Sequence, residues 1–319
     1  MGAEERIPLL VVAGPTASGK TEQGVRLCEA LGGEVVSADS MQVYQGMEIA
    51  TAKPTLAEMR GIPHHLIGFL PAAERFSLAH YTALANAAIA DIHSRGKLPV
   101  LVGGTGLYIR AVAENLILPE GKTDFALREA LAQRFASEGG AALWRELAAA
   151  DPAAAAKTHP NDQKRIVRAL ELRQSMGLTL TEQNEASRLA PSPYDCRILL
   201  LGMDDRPALY SRVNRRVDSM LAAGLLEEAR AFLAQPAGAT AAQAIGYKEL
   251  APCIRGEATL AEATERLKME TRRYAKRQLS WFRTQCPQGA VVPARQGRWV
   301  APEATIEDLH KWKEETRVF

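Results

Sequence analysis

Residues 7–21 read IPLLVVAGPTASGKT. IPLLVVA is a short unbroken apolar run, the pattern of a strand covered on both faces of a parallel sheet. Gly14, Pro15, Thr16, Ala17, Ser18, Gly19, Lys20 and Thr21 follow directly and fit the phosphate-loop pattern G-x-x-x-x-G-K-[ST]. The glycines let the backbone wrap closely and turn its N–H groups inward, and the start of the next helix adds positive potential. In this pattern Lys20 neutralises phosphate charge and Thr21 ligates Mg²⁺. A chance turn is a poor competitor, because the loop stands between an apolar strand and a helical stretch, Thr21 to Leu31. The first functional reading is a grip on a pyrophosphate or polyphosphate.

Outward from the loop, strand and helix patterns alternate. Glu34 to Ser37 reads as a second strand ending at Ala38-Asp39-Ser40, Ser77 to Arg95 as a helix, and Leu98 to Val102 as a third strand ending at Gly103-Gly104-Thr105. Alternation of this kind predicts a P-loop NTPase-like α/β fold, with a parallel sheet and flanking helices. From about Thr123 the chain turns Ala-, Glu- and Arg-rich with helical periodicity, and Pro191-Ser192-Pro193 ends that stretch. Arg197 to Gly202 (RILLLG) is strand-like again, and 206–285 is mostly helical. The expected organisation is a core of residues 1–123 and 191–319 interrupted by a helical insertion at 124–190.

Composition narrows the function classes. The chain has 319 residues, 47% hydrophobic and 24% charged, enough for a large α/β domain with an insertion. Its formal net charge of +2 excludes nothing by itself. No apolar stretch is long enough to span a bilayer. The start, MGAEERIPLLVVAGP, lacks the pattern of a secretory signal. Cys28, Cys196, Cys253 and Cys286 are far apart, so neither structural zinc nor a disulfide framework is expected. A cytoplasmic monomer is the expectation.

Strand ends on the loop's side of the sheet are where ligands of open α/β sheets bind. Asp39, Ser40, Met41 and Gln42 fall there, with Asp39 open to roles as a metal contact, a base or a helix cap. Gly103-Gly104-Thr105 falls on the same edge. Between Thr264 and Arg283, seven basic residues (Arg266, Lys268, Arg272, Arg273, Lys276, Arg277, Arg283) face two acids, with Tyr274, Trp281 and Phe282 interleaved. Such a segment can track phosphates and stack on bases, or be an amphipathic helix with a solvated basic face. Asp204-Asp205 could be a metal contact or a cap. His64-His65 has no partner at metal-ligand spacing.

Together, GPTASGKT, SADSMQVYQGMEIATAKP (37–54), PHHLI (63–67) and LVGGTGLYIRAV (101–112) resemble the tRNA dimethylallyltransferases, or tRNA isopentenyltransferases, of bacterial type. NDQKRIVRALE (161–171), RVNRRVDSML (212–221), QAIGYKEL (243–250) and TRRYAKRQLSWFR (271–283) continue the resemblance in the family's order. It implies transfer of a dimethylallyl group from dimethylallyl diphosphate to N6 of adenosine 37 beside the anticodon, with Mg²⁺, the phosphate loop holding the departing diphosphate. By resemblance, Asp39 is the base for the adenine amino group, Thr105 lies near the pyrophosphate, and Arg212 and Arg216 clamp it beside Lys20. The same resemblance assigns tRNA contacts to residues 39–42, Thr105, Arg128, Gln163, Lys164, Arg165, Gln243, Ala244, Ile245, Gly246, Tyr247, Lys248, Lys276, Arg277, Trp281 and Arg283, with the insertion on the anticodon stem-loop. The family usually carries an acid shortly after the histidine pair, and Gly68 stands there instead. Three rivals remain: a P-loop small-molecule kinase, a prenyltransferase acting on free adenine nucleotides, and a non-catalytic RNA-binding module.

Overall fold

The structure, a computed structural model, describes residues 6–118, 124–202, 205–285, 290–293 and 303–315. These form two compact units, one of Met1–Ala113 with Ser192–Phe319 and one of Glu114–Pro191. The second unit therefore begins ten residues before the change of composition near 124. Its early boundary is carried by residues without helical periodicity, where Ile117 accepts from Gln183 and donates to Ser187.

The first unit opens with β1 (Ile7–Ala13), α1 (Lys20–Leu31), β2 (Gly33–Ala38), α2 (Leu56–Met59), β3 (His64–His65), α3 (Leu78–Ser94), β4 (Leu98–Gly103) and α4 (Gly106–Ala113). The second unit is helical: α5 (Phe125–Glu138), α6 (Gly140–Ala150), α7 (Pro152–Ala155), α8 (Gln163–Met176) and α9 (Leu180–Leu189). The first unit resumes with β5 (Tyr194–Gly202), α10 (Arg206–Ala222), α11 (Leu225–Leu233), α12 (Tyr247–Ile254), α13 (Leu260–Gln285), β6 (Ala290–Pro293) and α14 (Glu303–Glu315).

The six strands make one sheet in the order β3-β2-β4-β1-β5-β6, every pair parallel. β1 lies between β4 and β5, with Leu10 opposite Val100 and Arg197. Leu9, Leu10, Val11, Val12 and Ala13 are fully buried because helices cover both faces, which is why the strand needs no polar alternation. One face packs Leu9, Val11 and Leu101 with Tyr81, Ile89 and Ile109; the other packs Leu10, Val12 and Val100 with Leu27, Leu31 and Trp312. Trp312 also donates its indole N–H to Asp195, 2.6 Å away, so part of the unassigned C-terminal stretch completes the core. Trp299 and Cys286 lie outside the described residues, and Cys28, Cys196 and Cys253 are free thiols.

The second unit has its own core of Leu131, Leu143, Leu147, Ile166 and Leu170. Glu171, fully buried there, receives two arms of Arg128 and one of Arg168 at 2.8–3.1 Å. Asp151 caps α7 through Ala154 and accepts from the amide and hydroxyl of Thr181 at the start of α9.

At the sheet's amino end, buried Glu34 accepts from Arg95 at 2.8 Å and pairs with His65 Nε2 at 2.8 Å. Hydrogen bonding from Arg95, aided by His65, holds the Glu34 carboxyl down at about 2 against an ordinary 4.5. Because the folded value is depressed, the stabilisation is complete above pH 4.5 and is lost as pH falls toward 2. That gap corresponds to at most about 3 kcal/mol, which solvent screening of half-exposed Arg95 lowers to about 2. Glu34→Gln should therefore lower stability at pH 7 by about 2 kcal/mol and flatten the curve between pH 4.5 and 2. Urea titrations across that range check this; an unchanged acid limb would remove Glu34 from the account.

Candidate active site

The sheet order brings three strand ends together at the carboxyl edge. The Gly-Gly loop after β4 lies between the phosphate loop after β1 and the Asp39 loop after β2. In the phosphate loop, Ala17 (φ 62°) and Gly19 (φ 91°) are both left-handed. Such reversals on either side of one residue curl the backbone into an anion-binding concavity. Gly19 caps α1 with no side-chain hydrogen bond, so the first N–H groups of the helix are left to a ligand. Gly14, Pro15, Ala17 and Ser18 are buried and frame the loop, while Thr16, Gly19, Lys20 and Thr21 are partly open.

Thr16, Ala17, Gly19, Lys20, Thr21, Asp39, Ser40, Met41, Gln42 and Arg216 all line one cleft of about 810 Å³. Its far wall is built by 48–55, by Gln243, Ala244, Ile245, Gly246 and Lys248, and by Tyr274 and Arg277. On α10 the helical spacing of four sorts the arginines. Arg215 is exposed and bonds Ser211 of its own helix, whereas Arg216 faces the cleft. Arg212 lies against the phosphate loop, its Nη2 3.5 Å from where a Cβ on Gly19 would stand. Burial pushes the Arg216 guanidinium down, and the Asp39 and Glu58 carboxylates oppose that shift.

Burial, then repulsion from Arg216, brings the Lys20 ammonium down to about 8, with Asp39 pulling the other way. A bound diphosphate would restore the charged form. Below pH 8 Lys20 already holds its proton; above pH 8 binding must take one up, and affinity should fall about tenfold per pH unit. Calorimetry with pyrophosphate at pH 9 in buffers of different ionisation enthalpy should read this uptake, and Lys20→Arg should lack it. Equal uptake by both proteins would assign the proton elsewhere.

Asp39 is half-buried, and its Oδ1 accepts from the amides of Met41 (2.9 Å) and Gln42 (3.4 Å). The carboxylate thus caps its own loop and lines the cleft at once. Ser40 N donates to Thr105 Oγ1 at 3.0 Å, so the Thr105 hydroxyl braces the loop that carries Asp39. Thr21 and Asp39 supply one hydroxyl and one carboxylate. Among the described residues no group of three His, Cys, Asp or Glu side chains could hold a metal. So sparse a donor set fits a Mg²⁺ that draws its remaining ligands from phosphate oxygens and water.

Several residues expected to meet RNA have other partners. Trp281 is partly buried, packs its ring where a Cβ on Gly106 would stand and meets Phe282 edge to face. Tyr247 is buried, stacked on Phe232 with its hydroxyl on Glu228. Arg128 is tied to Glu171, and Gln42 spends its amide on the carbonyls of Thr51 and Ala52. Lys276, Arg277 and Arg283 remain exposed on α13, and Gln163, Lys164 and Arg165 are exposed in the first turn of α8. Asp205 caps α10 through Ala208, and Asp204 lies outside the described residues. His64 bonds Ile62 O and His65 bonds Glu34. Where the family's usual acid is replaced by Gly68, the Lys53 ammonium lies 3.1 Å from the position of a Cβ and bonds Glu48 instead.

Two residues of the site escaped the sequence reading. Glu228 accepts from the amides of Glu48, Ile49 and Ala50 at 2.7–2.9 Å and so fixes the far wall. Gln278 joins the phosphate loop to the Gly-Gly loop. In each case the available signal is a polar residue on the apolar stripe of its helix: 225, 228, 229, 232 on α11, and 275, 278, 279, 282 on α13.

A parallel sheet with a phosphate loop at its carboxyl edge, a lysine and two arginines converging there and a carboxylate across the cleft gives this protein a P-loop NTPase-like fold with a cleft at that loop. The model of the family described as IPP transferase matches residues 42–285, and that described as isopentenyl transferase matches 7–67. The chain belongs to the IPP transferase family. It is 49% identical over 286 residues to a tRNA dimethylallyltransferase of Geobacter metallireducens, covering 89% of this chain and 92% of that one. The crystal structure of the tRNA isopentenylpyrophosphate transferase of Bacillus halodurans superposes with a TM-score of 0.68 at 41% identity, covering 97% of both chains. A eukaryotic dimethylallyltransferase acting on tRNA gives a TM-score of 0.78 at 28% identity, over 96% of this chain and 77% of that one.

Proposed function

We propose that this chain transfers the dimethylallyl group of dimethylallyl diphosphate to N6 of adenosine 37 in tRNA. The observation that carries the reading is the single cleft in which Lys20, Thr21 and Arg216 face Asp39. The C1–O bond to diphosphate breaks, the N6–C1 bond forms, and the N6 proton passes to the Asp39 carboxylate. Negative charge grows on the departing diphosphate, where the α1 amides, Lys20, Arg212 and Arg216 are already oriented, so little reorganisation is needed. Mg²⁺ held by Thr21 would neutralise further charge there. An adenine amino group is a weak nucleophile, so removal of its proton as the bond forms contributes about 10²–10⁴-fold.

The acceptor must leave its stack to enter a cleft at the sheet edge, which favours an anticodon loop over a duplex. Exposed Lys276, Arg277 and Arg283 on α13, and Gln163, Lys164 and Arg165 on α8, would contact the loop's backbone. Labelled dimethylallyl diphosphate with Mg²⁺, offered to an unmodified A36-A37-A38 tRNA, the same tRNA with G37, and AMP, tests the reading. Label on the A37 tRNA alone is expected. Label on AMP would move the acceptor to free nucleotides, and none on any acceptor would overturn the reading.

A further inference from the structure

Gln278 is a polar residue in the last third of a 26-residue helix, only 6% exposed, on the stripe that otherwise carries Ala275, Leu279 and Phe282. A buried carboxamide is costly unless both ends are satisfied. Its Oε1 accepts from Thr16 N at 2.8 Å, and its Nε2 donates to Gly104 O at 2.9 Å. One side chain therefore bridges two backbone segments, the phosphate loop and the loop after β4. The fit is close: a Cβ on Gly104 would stand 2.4 Å from Gln278 Nε2 and 3.5 Å from Lys20 Cε.

The same helix reaches the other parts of the cleft. Tyr274 and Arg277 line it, and Arg272 donates to Asn214 on α10, the helix that carries Arg212 and Arg216. Its exposed side carries Arg273, Lys276 and Arg283. A helix with a basic outer face thus ends, on its inner face, in a hydrogen-bonded staple on the phosphate cradle.

We infer that Gln278 is a positioning residue: it holds the Thr16 amide and the Gly104 carbonyl so that the remaining loop amides and Lys20 converge on the diphosphate. It touches no reacting atom. By taking up the Thr16 N–H, while Ser18 N donates to Pro15 O, it leaves the amides of Ala17, Gly19 and Lys20 as the anion cradle. This inference rests on the diphosphate reading of the cleft but not on the identity of the prenyl acceptor.

The test is calorimetric binding of inorganic pyrophosphate with Mg²⁺ to the full chain, with no RNA present. Gln278→Met removes both bonds at similar volume, and Gln278→Glu keeps the acceptor but presents a carboxylate oxygen to Gly104 O. Both variants should bind pyrophosphate at least about tenfold more weakly, the effect of leaving buried partners unpaired. Affinity for an anticodon stem-loop should stay within about twofold, and kcat should fall without a matching rise in the stem-loop KM. Unchanged pyrophosphate affinity, or equal loss of both affinities, would overturn the inference. If Gln278→Met does not fold, the native chain decides through hydrogen exchange. The Thr16 amide should be protected before pyrophosphate is added, and rapid exchange there would refute the staple. A native chain that binds pyrophosphate yet modifies no tRNA would instead count against the proposed acceptor and leave Gln278 still testable.

Discussion

Asp39→Asn should lower the rate of prenyl transfer by about 10²–10⁴-fold while leaving pyrophosphate affinity within a few-fold, the signature of a lost general base. Asparagine keeps the shape and can still accept from the Met41 and Gln42 amides, as Oδ1 does now, so the loop should hold its place. What it loses is the capacity to take the N6 proton. Single-turnover transfer with saturating diphosphate separates the two effects. Full activity in Asp39→Asn would show that the proton leaves by another route and would reduce Asp39 to its capping role.

Lys20→Ala should have the complementary effect, weakening pyrophosphate by about 10–10²-fold, since it removes a charge-assisted contact from an enclosed site. Stem-loop affinity should not move. Arg212 and Arg216 remain in this variant, so residual binding is expected. Loss of RNA affinity with diphosphate binding intact would mean that the cleft is oriented the other way.

The elements that place the site were legible from local pattern. β1, the phosphate loop and α1 occupy one continuous stretch in which apolar run, glycine spacing and helix start agree. The strand ends at Asp39 and Gly103 follow from the same alternation. What escaped depends on contacts distant in sequence. β3 is two residues long and is a strand only because Val35 and Val36 lie beside His64 and His65. β6 takes its place from pairing with Leu199 to Gly202. Gln278 acquires its role from residues 174 and 262 positions away, which no window on the sequence reveals. For Trp281, an aromatic amid arginines left base stacking and core packing both open, and only the fold reveals that a glycine at 106 makes room for its ring. For Arg128 the resemblance implied a tRNA contact, and only the fold reveals a buried glutamate as its partner.

The central position of β1 has a consequence for how the chain is made. β1 is made before both of its neighbours, and the second of them, β5, begins at Tyr194, after the whole Glu114–Pro191 unit has been synthesised. Until then one edge of IPLLVVA has no strand to pair with, and an apolar open edge invites pairing with other chains. The helical unit fills that interval with a core of its own, drawn from residues near one another in sequence, the kind that forms fastest. The phosphate cradle waits longer still, since its staple at Gln278 lies on α13, which is made after β5. A nascent chain therefore completes this cradle only after α13 has emerged.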